Sequence, residues 1–257
     1  MTRRHSIFFV IVSVFVAVFA TALRADPWVD FAAFEHDGNC PPLLAQAANA
    51  NQVATWNQEQ LDRLYACAKA GPIPDGFLNG QVLFANGGGF DQFVAFATQL
   101  GFPVDKDRLK QFAESLWKGK HFYRDDGALL NLMGPNVEPL LGQDIKGQLR
   151  FPAKVYCGQS LLDSRRESIV IDYAKTDTVK IGGKTPYSDL VDWIAGDRTK
   201  TGRRGLNIRD EIRMIHPGFY LGRAYMDRIF LLNFTLTASA PVSGQDVCWP
   251  GYPSAGA

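Results

Sequence analysis

Three segments near the C-terminal end of the chain alternate apolar and polar residues with the two-residue period of β-strands. They cover residues 208–215, 219–225 and 229–236. Pro217-Gly218 separates the first two segments and residues 226–228 separate the last two, and both separators are typical of tight turns. The pattern predicts a β-meander whose aromatic residues enclose either a solid core or a pocket.

The remainder of the chain divides into a helical part followed by a strand-rich part. Helices are predicted at 58–70, where Thr55 and Gln58 suggest a capping box, and at 90–100, 105–117 and from Thr185-Pro186 onward. Further strands are predicted at 76–84, 120–123, 151–156 and 167–173, the last extended by 177–180. We therefore expect an α+β fold: a curved antiparallel β-sheet or small β-barrel of six to seven strands, with N-terminal helices packed on it.

Residues 1–25 are typical of a signal peptide. Arg3 and Arg4 precede an apolar run at 7–23, and small-residue cleavage motifs occur at 20–22 and 23–25. The alternative is an uncleaved membrane anchor, which would be the chain's sole membrane contact. The expected domains are then a signal peptide at 1–25, a helical region at 26–117, an antiparallel β domain at 118–240 and a C-terminal tail at 241–257, in a periplasmic or secreted protein.

The charge balance argues against a nucleic-acid partner. Removing residues 1–25 removes three of the 27 Lys and Arg residues and none of the 26 acids, and 24 minus 26 leaves a net charge of −2. Proteins that neutralise phosphates need clustered Lys and Arg residues. The densest basic run, at 198–204, is better explained as a solvated loop.

All four cysteines follow the predicted signal peptide, so disulfides are expected in an oxidising compartment. Four cysteines allow three connectivities. We favour Cys40 with Cys67, both in the helical region, and Cys157 with Cys248, which would tether the tail to a strand. No metal site is expected, because no pair has the short spacing of a zinc site.

Strand alternation identifies a few polar side chains that share a face with apolar ones. Asp210 shares a face with Ile208 and Ile212, and Arg223 is predicted to point the same way from the next strand. A buried Asp–Arg pair could anchor the polar group of a ligand inside an apolar cavity. Asp172 is a second carboxylate of interest. The alternative is that Asp172, Asp210 and Arg223 lie at an edge of the sheet and bind only to the backbone and to each other.

Familiar catalytic signatures are absent from the sequence. Ser160 does not lie in a Gly-x-Ser-x-Gly elbow. The mature chain has only His36, His121 and His216, without metal-ligand spacing. No cofactor is therefore expected. The sequence motifs do not decide whether the protein is an enzyme.

Four short motifs resemble the Gly-x-Trp-x-Gly family of small uncharacterised proteins. They are residues 74–80, the Trp-x-Gly-Lys-x-Phe segment at 117–122, Ile171-Asp172-Tyr173, and Tyr220-Leu221-Gly222. The similarity spans about residues 74–226, but Leu78 stands where the family has its first Trp, and 182–206 has no counterpart. The resemblance implies a calycin-type, lipocalin-like barrel that holds an apolar ligand, and it implies no reaction or catalytic residue.

Three functions follow as hypotheses. The first is an exported binding protein whose barrel holds a hydrophobic or aromatic small molecule, with Asp210 and Arg223 as polar anchors. The second is a hydrolase or isomerase that uses Asp172 or Asp210 as a general base. The third is a structural envelope protein with a filled barrel. The residues proposed to line or contact a ligand are Trp117, Phe151, Val155, Tyr173, Tyr220, Tyr225, Phe230 and Phe234.

Two further features have structural explanations. Trp117 is expected at a helix end, where it would close one end of the barrel and donate its indole N–H to a backbone carbonyl. The segment 229–236 is apolar on both faces apart from Asn233 and Thr235. That pattern indicates cover by the N-terminal helices or by another subunit.

Overall fold

The computed structural model of the chain describes residues 40–85, 117–134, 149–161, 166–186, 208–226, 229–239 and 248. Within these ranges lie three α-helices, namely α1 (Cys40–Gln46), α2 (Ala50–Val53) and α3 (Gln58–Cys67), and one 3-10 helix (Tyr173–Thr178). The strands are β1 (Gly76–Leu83), β2 (Trp117–Tyr123), β3 (Ala128–Met133), β4 (Leu149–Gln159), β5 (Glu167–Asp172), β6 (Ile208–His216), β7 (Phe219–Met226) and β8 (Ile229–Ala238).

The strands form a closed antiparallel barrel in which each strand pairs with its neighbours in sequence. The barrel closes where β8 returns to β1, with a register that runs from Leu78 opposite Ala238 to Leu83 opposite Asn233. A closed barrel leaves no unpaired strand edge. The prediction of a small antiparallel barrel is confirmed, including the β6–β8 meander and the existence of β1.

The predicted number of six to seven strands is wrong, since the described part of the chain contributes eight. The strand missing from the prediction is β3. Leu129 and Leu130 point to opposite faces of it, so this strand lacks the alternation of apolar and polar residues by which the other strands were recognised. The proposed strand extension at 177–180 is also wrong. The Asp172 carboxylate accepts the Ala174 N–H at 3.0 Å, which turns the chain into the 3-10 helix.

The barrel interior holds a hydrophobic core to which all eight strands contribute. Its buried residues include Leu78, Phe122, Ile171, Ile212 and Phe234. Because side chains alternate along a strand, the neighbours of these residues point outward. This alternation fixes which polar side chains face the interior.

A second hydrophobic core lies outside the barrel, between its wall and the helices. Leu61, Leu64 and Tyr65 of α3 pack there against Ile215 and Leu221. The apolar character of both faces of the C-terminal strands is therefore explained by helical cover within the same chain.

Helix α3 begins two residues later than a Thr55–Gln58 capping box would place it. Asn57 is the N-cap: its side chain accepts the Gln60 N–H at 2.9 Å, and the Gln60 side chain accepts the Asn57 N–H at 3.0 Å. The Thr55 hydroxyl instead donates to the Gln52 carbonyl at 2.8 Å, closing the turn after α2. The predicted cap is thus wrong because Thr55 is already engaged by the preceding helix.

Both expected disulfides are formed. Cys40–Cys67 joins the start of α1 to the end of α3, and Cys157–Cys248 attaches the tail to β4. Disulfides of this kind are compatible with an extracellular or periplasmic protein. Among the described residues, no helix is long and apolar enough to cross a membrane.

The two ends of the barrel differ in the lengths of their connections. At one end, which we call the long-loop end, strands are joined by residues 84–116, 134–148 and 173–207, and also by the two residues 227–228. The opposite end has the shorter connections 124–127, 160–166 and 217–218. Binding residues concentrate where a rigid scaffold meets its longer loops, so the long-loop end is the first place to look for a site.

Several sequence predictions fall outside the described residues. The signal peptide, the helix at 90–100, nearly all of the helix at 105–117, most of the helix that follows Pro186 and the basic run at 198–204 are in this group. The described part of the region assigned to helices contains β1, and Trp117 begins β2 rather than ending a helix.

Candidate functional site

Four polar side chains meet inside the barrel among apolar ones. Lys120 comes from β2, Asn131 from β3, Tyr173 from the residue after β5, and Asp210 from β6. They are 3 %, 6 %, 9 % and 5 % exposed, respectively. We call these four residues the interior cluster. Burying charged groups costs several kcal/mol in general unless they are paired, so their presence in the core needs an explanation.

The Lys120 ammonium is the centre of the interior cluster. Its Nζ forms a salt bridge to Asp210 Oδ2 at 3.0 Å and donates to Tyr173 Oη at 2.6 Å and to Asn131 Oδ1 at 2.8 Å. An ammonium group has three protons, and all three are used by these contacts. The charge of Lys120 is therefore neutralised and fully hydrogen-bonded within the barrel.

Asn131 connects the cluster to the barrel wall. Its Nδ2 donates to the Phe151 carbonyl at 3.0 Å and to Tyr173 Oη at 2.9 Å, and its Oδ1 accepts the Trp117 indole N–H at 3.1 Å. Phe151 has a φ of 55°, in the left-handed region that non-glycine residues rarely occupy. Asn131 thus hydrogen-bonds to a residue of β4 with a strained backbone, and the same side chain contacts Lys120 and Tyr173.

The Trp117 and Phe234 rings lie close to the ammonium in addition to its oxygen partners, and the Tyr173 ring lies behind its own hydroxyl. The Lys120 Nζ lies 5.2 Å from the Trp117 ring centroid, 5.2 Å from that of Tyr173 and 5.4 Å from that of Phe234. The Trp117 and Phe234 rings make an edge-on contact, with centroids 5.6 Å apart. Cation–π attraction adds to the ion pair in such a desolvated site.

Two glycines on the inner wall make room for these rings. A Cβ atom at Gly80 would overlap the Trp117 indole, and one at Gly222 would overlap the Phe234 ring. The cage around Lys120 therefore depends on the absence of side chains at Gly80 and Gly222.

The protonation states follow from burial and charge. Burial by itself lowers the pKa of the Lys120 ammonium, but the Tyr173 and Asp210 oxygens outweigh it and raise this pKa above its ordinary value. Burial raises the pKa of the Tyr173 hydroxyl. At neutral pH the cluster consequently contains a charged lysine and a protonated tyrosine.

The interior cluster lies toward the long-loop end. Lys120 is the central residue of β2, whereas Asn131 lies in the second half of β3 and Asp210 near the start of β6, which are the parts of those two strands closer to that end. Partly buried apolar side chains pack against the core at the same end, namely Trp117, Met133, Ile208 and Leu232. Among the described residues, apolar side chains therefore lie between the polar cluster and this end of the barrel.

A separate polar network occupies the outer face of the barrel beneath α3. Arg223 forms a salt bridge to Asp62 of that helix. Glu211 is fully buried and accepts hydrogen bonds from Ser160 Oγ at 2.6 Å and from Tyr65 Oη at 3.2 Å. In the register of β6 and β7, Glu211 lies opposite Arg223. These contacts bind the helix to the barrel wall.

The expected Asp210–Arg223 pair is wrong, because the two side chains lie on opposite faces of the barrel wall. Asp210 is opposite Ala224 in the register, so Arg223 takes the outward position beside Tyr225. The Phe230 ring, whose face is 4.5 Å from the Arg223 guanidinium carbon, is also on that outer side. Arg223, Tyr225 and Phe230 therefore belong to the network under α3 rather than to the interior.

Asp172, the other carboxylate considered as a base, is also outside the core. Its Oδ2 accepts from Tyr156 Oη at 3.0 Å and lies 3.3 Å from Lys175 Nζ. Tyr220 does face the interior, but its hydroxyl donates to the Pro72 carbonyl at 2.9 Å, toward the short-connection end. The remaining predicted lining residues face the interior: Trp117, Phe151, Val155, Tyr173 and Phe234.

Sequence reasoning did not assign a role to Lys120 or Asn131. Lys120 was noted only as part of the Trp-x-Gly-Lys-x-Phe motif, although its two-residue spacing from Phe122 signals that both share a face. Asn131 lies in the strand that the apolar pattern concealed. In the described ranges, no group of three or more His, Cys, Asp or Glu side chains is arranged to hold a metal ion.

Comparison with known proteins adds little to this geometry. No family model matches the chain, and no curated protein matches it. A solved structure of a protein from Thermomonospora curvata is similar with a TM-score of 0.40 and 12% sequence identity, over 77% of this chain and 99% of that one. The resemblance to the Gly-x-Trp-x-Gly family stays a prediction from the sequence motifs.

Proposed function

We propose that this protein is an exported small-molecule binding protein. Its ligand has a hydrophobic or aromatic body that lies against the inner wall, and a polar group that reaches the interior cluster. The observation that carries the proposal is the buried Lys120–Asp210 pair inside an otherwise apolar barrel. A filled structural barrel would be at least as stable with apolar residues at these positions.

The composition of the interior supports a ligand of this type. Ligand sites combine mostly apolar and aromatic walls with a small number of convergent polar groups that fix orientation. Trp117, Phe151 and Phe234 supply aromatic wall within contact distance of the cluster. The position of the cluster at the long-loop end supports entry from that side.

Native mass spectrometry of protein purified from the exported fraction tests the proposal, followed by denaturing extraction. We expect a hydrophobic molecule at near-stoichiometric amount, or uptake of added naphthalene and decyl compounds with a change in Trp117 fluorescence. A Trp117→Phe variant identifies the reporter, because the chain has five tryptophans. Failure to retain or take up any such compound would favour the filled structural barrel.

Proton transfer is a second candidate function, and one observation favours it. The Lys120 contact engages Oδ2 of Asp210, while no hydrogen bond to its Oδ1 is formed by the residues that the structure describes. A carboxylate with one open oxygen in an apolar site is suited to act as a general base. The Asp172 alternative lacks this setting because that side chain is on the outer surface.

The two functions are distinguished by exchange chemistry. A carrier binds an aryl ketone such as 2-acetylnaphthalene unchanged, whereas an enzyme with an Asp210 base catalyses deuterium exchange at the carbon next to the carbonyl. Asp210→Asn abolishes that exchange if Asp210 is the base, and Asp172→Asn is the matched control that preserves it. If the unmodified protein binds the ketone but no deuterium exchange occurs, the result contradicts a general base at Asp210 and favours the carrier.

A further inference from the structure

The hydrogen-bond inventory of the interior cluster restricts the chemistry of the ligand. Lys120 directs its three protons to Asn131, Tyr173 and Asp210. Asn131 directs its two amide protons to the Phe151 carbonyl and Tyr173. These two residues have no donor left for a ligand.

The hydroxyl of Tyr173 is also committed. Its oxygen accepts from Lys120 Nζ at 2.6 Å and from Asn131 Nδ2 at 2.9 Å, which uses both lone pairs. Its single proton therefore points to Asn131 Oδ1 at 3.2 Å or to Asp210 Oδ2 at 3.4 Å. The indole N–H of Trp117 is likewise taken by Asn131.

The acceptor side of the cluster is less completely used. Oδ2 of Asp210 receives the Lys120 ammonium, whereas Oδ1 accepts no hydrogen bond from the part of the chain that the structure describes. Asp210 is 5 % exposed. A buried carboxylate oxygen gains most from a partner that donates a proton to it.

We infer that the polar group of the ligand is a neutral hydrogen-bond donor, a hydroxyl or N–H, which binds Oδ1 of Asp210. The inference rests on the proposed function and narrows its ligand class to molecules such as apolar alcohols and phenols. A carboxylate would face the Asp210 oxygen with no free donor to receive it. A second ammonium would add an uncompensated positive charge beside Lys120 in a desolvated site.

Two matched ligand sets test the inference. The first is 2-naphthol, 2-methoxynaphthalene and 2-naphthoate, and the second is 1-decanol, decyl methyl ether and decanoate. In each set the body is constant, and only the ability to donate or the charge changes. Dissociation constants at neutral pH are measured by quenching of Trp117 fluorescence and by calorimetry.

We expect the alcohol of at least one set to bind about tenfold or more tightly than its ether and its carboxylate, the ratio of one lost buried hydrogen bond. If, in every set that binds, the ether or the carboxylate binds as tightly as the alcohol, the inference is overturned but the proposed function still stands. If none of the six compounds binds and nothing co-purifies, the proposed function itself fails.

Variants then locate the preference. Asp210→Leu combined with Lys120→Met removes both charges together, so that neither is left unpaired in the core. This double variant is expected to bind the alcohol and the ether with equal affinity, so that the preference for the alcohol is lost. Asp172→Asn, outside the barrel, is expected to keep it, and a preference that survives the double variant contradicts the assignment to Asp210.

Discussion

At the scale of single residues, the Lys120–Asp210 pair is the feature whose energetics are clearest. The two groups neutralise each other at 3.0 Å inside the core, where either alone would be a buried unpaired charge. The cost of removing one partner should therefore greatly exceed the cost of removing both. Surface carboxylates do not behave in this way, because water and salt compensate their loss.

The first prediction concerns this asymmetry. Asp210→Asn is expected to lower the free energy of unfolding by about 3–5 kcal/mol. The double variant Lys120→Met with Asp210→Leu is expected to recover most of that loss. Urea unfolding followed by far-UV circular dichroism measures both. The partly exposed Asp172→Asn serves as the control, and a loss there equal to that of Asp210→Asn would refute the special role of the buried pair.

Packing against the cage gives a second prediction at this scale. In Gly222→Ala, the new methyl group overlaps the Phe234 ring, which must therefore move. We expect a loss of about 1–3 kcal/mol, typical of overpacking in a core. Thermal unfolding is the measurement, with Gly158→Ala for comparison.

The Gly158 control is suitable because of its surroundings. A Cβ atom there would lie 3.3 Å from Val170 Cγ2, a close contact that a small side-chain shift relieves. Equal destabilisation of the two variants would mean that Phe234 moves freely and that the cage around Lys120 is not tightly packed.

At the scale of secondary-structure elements, strands with one covered face and the existence of helix α3 were predictable. The meander of β6, β7 and β8 was found because three short segments rich in apolar and aromatic residues are separated by residues typical of turns. The face of β7 was assigned wrongly, because Leu221 on the outer side is as apolar as an interior residue. Helix α3 covers that side, and no pattern within β7 itself contains this information.

Local sequence patterns also do not show which side chains from distant parts of the sequence contact each other. Asp210 was identified as an inward carboxylate, but its actual partner Lys120 comes from a strand far away in sequence. The cysteines were more informative, since a covalent pair constrains distant segments directly, and both favoured pairings are confirmed.

The start of helix α3 provides the third prediction. Asn57→Ala removes the capping box with Gln60 and is expected to destabilise the protein by about 1 kcal/mol, as for other N-cap substitutions. Thr55→Ala, at the cap that the sequence suggested, is expected to cost less because its hydroxyl bonds only within the preceding turn. Chemical denaturation of both variants decides between them, and a larger effect at Thr55 would place the helix start differently.

At the scale of the whole molecule, the barrel and its helical cover bury several tyrosine hydroxyls. Burial raises the pKa of Tyr225 to about 12. It also raises the pKa values of Tyr65, Tyr173 and Tyr220. In the unfolded chain these groups ionise near pH 10, so the unfolded state releases protons that the folded state retains.

This difference yields the fourth prediction, on stability at alkaline pH. Because the folded pKa values are raised, their stabilising contribution is complete below about pH 10 and decreases as pH rises through the folded values. The raised pKa of Lys120 acts in the same direction. We expect cooperative unfolding above pH 10, with tyrosinate absorbance appearing together with the loss of circular dichroism.

The control for the alkaline transition uses single tyrosines. Tyr225→Phe should weaken the pH dependence above pH 10, whereas Tyr123→Phe, at a partly exposed position, should change it less. Tyrosinate absorbance that appeared fully before unfolding would show that the hydroxyls are accessible to solvent and contradict the prediction.

The pairing of β1 with β8 has a consequence for how the chain acquires its structure. Leu78 of β1 lies opposite Ala238 of β8. The strand that closes the barrel is therefore the last strand to be synthesised. Until it arrives, β1 and β7 both present open edges that can join other chains. The fold is therefore rich in contacts between distant parts of the sequence, which slows folding and postpones it until the chain is nearly complete. A chain truncated before β8 therefore cannot close the barrel, and its open strand edges make it prone to aggregate.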